Sequence, residues 1–96
     1  MSDKIVSYEF RDRHSNVVEK GQTADWRIIR RRPLELAKQR GECIASYAYN
    51  DYLHRWDYLG YSTPEGLFYD FNENGPYILN EDGRNFHKKG GYNERN

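Results

Sequence analysis

The sequence predicts a small α+β domain, and three observations carry that reading. Apolar residues alternate at the start of the chain, helix punctuation marks the middle, and an Asn-Gly loop between two apolar runs marks the C-terminal part. At 96 residues there is room for one modest core, so the reading is a single compact domain over 1–82 and a flexible polar tail over 83–96. Leu, Ile, Val and Phe together number only 18, but nine Tyr and two Trp supply large rings that replace aliphatic mass.

Lys4 to Phe10 reads as a strand, with Ile5, Ser7 and Glu9 on one face and Val6, Tyr8 and Phe10 on the other. Arg11 to Asn16 reads as a turn, and Asn16 to Glu19 as a short second strand ending before Gly21. Thr23 is placed to cap a helix with Asp25 in its first turn. That helix, about 24–40, is expected to kink or divide at Pro33 and to close at Gly41. A strand over 26–30 is the competing assignment. From 42 to 59 the helical template selects Ala45, Ala48, Tyr49, Tyr52, Leu53, Trp56 and Leu59, all apolar or aromatic, with Gly60 as a terminator. The expected architecture therefore has two to three helices, with the core leaning on Tyr49, Tyr52, Leu53 and Trp56. Residues 67–80 read as a β-hairpin whose second strand begins with Pro76 at a sheet edge.

The neutral total hides a segregation of charge. Trp26 to Arg40 holds six basic residues against Glu35, whereas Glu42 to Asp82 holds eight acids against Arg55. Such a dipole steers encounters with a charged partner, after internal pairing has taken its share. The single cysteine, Cys43, excludes an intramolecular disulfide, and no stretch has the length or apolarity of a signal peptide or a membrane span. The expectation is a cytoplasmic chain with no membrane contact and no cofactor.

Candidate chemistry is sparse. Asp70-x-Asn72-x-Asn74-Gly75 followed by Glu81 resembles an EF-hand loop in spacing. Pro64, Gly66 and Gly83 deny it flanking helices, so a hairpin turn is the preferred reading and weak calcium binding at Asp70 to Glu81 a minor alternative. His14, His54 and His87 lie in different elements, and the His54–Asp57 pair lacks a nucleophile, so the chain does not read as an enzyme. Arg27, Arg30, Arg31 and Arg32, beside Trp26, form a basic segment suited to phosphate contact, but a pI near 6.8 disfavours a nucleic-acid binder. By elimination the sequence points to a protein-binding adaptor or inhibitor. The surface expected to carry it combines Tyr47, Tyr58 and Tyr61 with Asp51, Asp57 and the arginine segment. In style the composition is similar to small accessory proteins of bacteriophages that block a host enzyme.

Overall fold

A computed structural model describes residues 4–72 and 75–88, the side chains of 86–88 excepted. The elements are β1 (Val6–Arg11), β2 (Val17–Thr23), α1 (Trp26–Arg40), β3 (Ile44–Asn50), β4 (Arg55–Ser62), β5 (Phe68–Asp70), β6 (Tyr77–Leu79) and β7 (Asn85–Lys88). The strands form one antiparallel sheet in the order β2-β1-β3-β4-β5-β6-β7, and α1 lies on one of its faces. Among the described residues, no helix is long and apolar enough to cross a membrane.

The β1–β2 turn follows from Asp12, whose carboxylate accepts the backbone N–H of His14 at 2.8 Å and of Asn16 at 3.0 Å. β2 does not stop before Gly21. It runs on to Thr23, because Gly21 faces Tyr8 and the missing Cβ leaves room for the Tyr8 ring.

The helix cap lies two residues later than predicted, at Asp25 rather than Thr23. The Asp25 carboxylate accepts the Arg27 N–H at 2.9 Å, and Thr23 Oγ1 instead accepts the N–H of Asp25 itself. Pro33 neither divides nor ends the helix, and residues 26–30 are helical rather than a strand. The lost N–H bond toward Ile29 is offset by burial, since Pro33 and Ile29 both pack into the interface with the sheet. Gly41 closes α1 as expected, at φ 67°, donating its N–H to the Ala37 carbonyl at 2.8 Å.

The predicted helix over 42–59 is absent, and a β-hairpin stands in its place. Ile44, Ser46 and Ala48 point at α1 and are buried, while Ala45, Tyr47 and Tyr49 point away. Both faces carry apolar or small residues, so the alternation that marks a half-buried strand is blurred, and the helical template matches by coincidence. The expected core shifts accordingly. Tyr52 and Leu53 lie in the β3–β4 turn, 89% and 48% exposed, and Tyr49 and Trp56 sit on the far face of the sheet. The actual core is Phe10, Leu36, Ala37 and Ile44, continued by Ile29, Ala48, Phe68 and Leu79.

The hairpin expected over 67–80 is present as β5 and β6. Pro76 precedes the strand, and β6 is paired on both sides rather than lying at an edge. Part of the expected tail is also sheet: Asn85–Lys88 pairs with β6 as β7, and residues 89–96 lie outside those described.

Candidate binding surface

The helix covers one face of the sheet, and the other face carries a run of aromatic rings. On β3, Tyr47 and Tyr49 point away from α1, opposite Tyr58 and Trp56 of β4. A strict two-residue period would then send Tyr61 to the helix side. A bulge prevents this: Tyr47 faces Tyr58 while Ser46 faces Gly60, so Leu59 is the extra residue and Tyr61 rejoins Tyr58 on the uncovered face. Gly60, at φ 136°, packs so close to β5 that a Cβ would strike the Tyr69 carbonyl. On β5, Tyr69 faces Tyr61, and Phe71 follows just beyond the strand.

These rings touch in three groups across the sheet. Tyr49 and Trp56 meet edge to face at 5.3 Å, and Tyr47 and Tyr58 lie 5.5 Å apart. Tyr58 meets Phe71 edge to face at 5.6 Å, and Tyr61 stacks on Tyr69 at 4.6 Å with only 9° between planes. Such pairs contribute about 0.5–1.5 kcal/mol each beyond burial. The Arg11 guanidinium lies 4.0 Å over the Tyr47 ring and is tied at 2.8 Å to Glu9, so the β1 flank of the patch carries a compensated charge pair.

The tyrosines pack by their rings and are half-buried. Among the described residues, the hydroxyls of Tyr47, Tyr49, Tyr58, Tyr61 and Tyr69 make no internal hydrogen bond. Burial pushes the Tyr58 phenol above its ordinary value, with the neighbouring Tyr47 and Tyr61 adding to the shift. Tyr61 is raised in the same way by burial, then by Tyr69 and Cys43. Phe71 is 65% exposed, an apolar ring left in water at the edge of the cluster.

The sheet separates the surface expected from sequence into two. Tyr47, Tyr58 and Tyr61 come together on the uncovered face, but Arg27, Arg30, Arg31 and Arg32 project from α1 on the other side. Those arginines are engaged within the chain. Arg27 pairs with Asp25 at 2.9 Å, and Arg30 reaches Asp70 at 3.4 Å and Asn85 at 2.6 Å. Arg31 donates to the Asn80 carbonyl at 2.6 Å, and Arg32 grips Glu19 at 2.9 Å and Glu35 at 2.8 Å. Asp51 sits in the β3–β4 turn, 3.3 Å from Lys4. Asp57 lies opposite Ala48, on the helix side, and accepts from Asn50 and Arg55 at 2.9 Å each. Asn50 first, then Arg55, hold its carboxyl below the usual range.

The calcium-like spacing has a structural use. Asp70 Oδ1 accepts the Asn72 N–H at 2.8 Å to form the turn, while Oδ2 takes Arg30 and Asn85. Among the described residues, no three His, Cys, Asp or Glu side chains gather as a metal site. Sequence reasoning did not single out Tyr49, Trp56, Tyr69, Phe71 and Arg11 for this surface. The available signal was the two-residue spacing of Tyr47 with Tyr49 and of Tyr69 with Phe71. No family model, curated protein or solved structure matches this chain.

Proposed function

We propose that this chain is a protein-binding adaptor or inhibitor that grips its partner with the uncovered aromatic face of the sheet. The observation that carries this reading is the gathering of three ring groups on one face, Tyr49 with Trp56, Tyr47 with Tyr58 and Phe71, and Tyr61 with Tyr69. Packed rings offer contact area with little rotamer entropy left to lose, and free phenols supply donors and acceptors that adapt to a partner. Tyr, Trp and Phe are the residues enriched in such interfaces. The arginines of α1 contribute to the scaffold in this reading, because they are already engaged with Glu19, Asp70 and the Asn80 carbonyl.

The test is capture from a nuclease-treated lysate with the full chain as bait, beside a Tyr58→Ala, Phe71→Ala double variant. One stoichiometric protein retained by the parent and lost by the folded variant is the expected result. Recovery that vanishes with nuclease and falls steeply with salt would replace the reading with a single-stranded nucleic acid stacked on the rings.

A further inference from the structure

On the helix side, three segments distant in sequence enclose a second feature. Lys4 precedes β1, residues 23–30 span the end of β2 and the first turn of α1, and the turn between β6 and β7 comes from residues 80–84. Between them opens a cleft of about 1030 Å³. The turn is pinned in place by polar contacts. Gly83, at φ 79°, lies so close to the helix that a Cβ would press on Arg27 and Arg30, and Arg31 holds the Asn80 carbonyl at 2.6 Å. The Trp26 ring stands at this cleft, 46% exposed, large and apolar yet outside the core.

Charge in the cleft is unbalanced. Lys4, Arg27, Arg30 and Arg84 line it against Asp25 and Asp82. Asp25 is occupied twice, capping the helix and pairing with Arg27, while Arg30 turns inward to Asp70. Among the described residues Lys4 pairs only with the exposed Asp51, in the kind of surface pair that contributes little and yields readily. Arg84 makes no ion pair among the described residues. The lining thus sets four cations against two carboxylates, of which Asp82 acts on Arg27, beside an exposed indole. That arrangement suits a ligand that is both anionic and planar.

We propose that this cleft binds a small phosphate-bearing ligand with a planar ring, of the nucleoside diphosphate class. Lys4 and Arg84 hold the phosphates and Trp26 stacks on the ring. This site lies across the sheet from the aromatic face and stands or falls independently of it.

The two tryptophans make the test local, because Trp26 lines the cleft and Trp56 lies on the other face. Adenosine diphosphate and inorganic pyrophosphate are titrated into the full chain by calorimetry. The nucleotide is also titrated into a Trp56→Phe variant, where Trp26 is the sole tryptophan and is excited selectively, beyond tyrosine absorption. The expected result is saturable binding of the nucleotide with quenching of Trp26. Arg84→Ala should weaken it about tenfold, the loss of one charge-assisted contact. Pyrophosphate, lacking the ring, should bind at least about fivefold more weakly. No saturable heat with the nucleotide, heat without a change in Trp26 emission, an affinity indifferent to Arg84→Ala, or pyrophosphate binding as tightly as the nucleotide would each overturn the proposal.

Discussion

Arg30 and Asp70, forty residues apart in sequence, are joined at 3.4 Å between the helix and the end of β5. Asn85 of β7 completes the contact, accepting from Arg30 at 2.6 Å and donating to Asp70 at 3.1 Å. The Arg30 guanidinium also lies 4.6 Å over the Phe68 ring, which is fully buried. Two strands and the helix therefore meet at one arginine.

Asp70→Ala removes the Asp70 carboxylate from the largely buried Arg30 guanidinium. The expected loss is about 1–3 kcal/mol of stability, toward the low end because the guanidinium keeps some solvent. Asp70→Asn retains an acceptor and should recover part of it. Urea midpoints of the two variants, compared with the parent, give the answer.

Gly60→Ala tests the bulge. A side chain there meets the Tyr69 carbonyl, and φ 136° is a conformation that residues with a Cβ rarely adopt. The expected cost is about 2 kcal/mol or more. Near-ultraviolet dichroism should fall with it, because the Tyr61–Tyr69 stack rests on the same backbone.

Alkaline titration reports on the aromatic face. Burial raises the Tyr58 and Tyr61 phenols in the folded state above the ordinary 10.0, so folding favours their protonated forms. Their contribution to stability is therefore complete below that ordinary value and is lost as pH rises through the raised one. Absorbance near 295 nm should show phenols ionising late, and Tyr58→Phe should lessen the alkaline fall in melting temperature. An unchanged alkaline fall in that variant would contradict the assignment.

Phe71→Ala separates binding from folding. Its ring is 65% exposed, so removal should leave the melting temperature within a few degrees of the parent. Affinity for a captured partner should drop about tenfold or more, as for an aromatic anchor at an interface. Lys38→Ala, on the exposed side of the helix, should leave that affinity unchanged.

How far the sequence could be read depended on whether a local rule settled the matter. Gly41 needed only its own backbone freedom to end the helix, and Asn72 and Gly75 marked the β5–β6 connection by turn chemistry alone. The stretch from Ile44 to Leu59 had no such rule. Its strands lie at the centre of the sheet with Ile44, Ser46 and Ala48 facing the helix and tyrosines behind, so from Ile44 to Tyr49 apolar or small residues fall on both faces. Propensity was the better guide there: Tyr, Trp and Ile favour strands, and Asn50-Asp51 favours a turn. The candidate surface was half legible for a related reason. Tyr47, Tyr58 and Tyr61 were named, but an insertion of one residue at Leu59 decides which side Tyr61 occupies, and that is a property of pairing rather than of composition. The arginines of α1 were legible as a charge cluster. Their partners, from Glu19 to Asn85, come from both ends of the chain.

The helix is thus sewn to the sheet by two unlike seams. Toward β1 and β3 the seam is oily, built from Leu36, Ala37, Phe10 and Ile44. Toward the C-terminal strands it is ionic, built from Arg30, Arg31, Asp70 and the Asn80 carbonyl. Dissolved salt acts on these in opposite senses: screening slackens the ionic seam, while a strongly hydrated anion such as sulfate tightens the oily one. Unravelling should consequently begin from the β6–β7 side as ionic strength climbs, with the β1–β3–β4 centre the last part to let go.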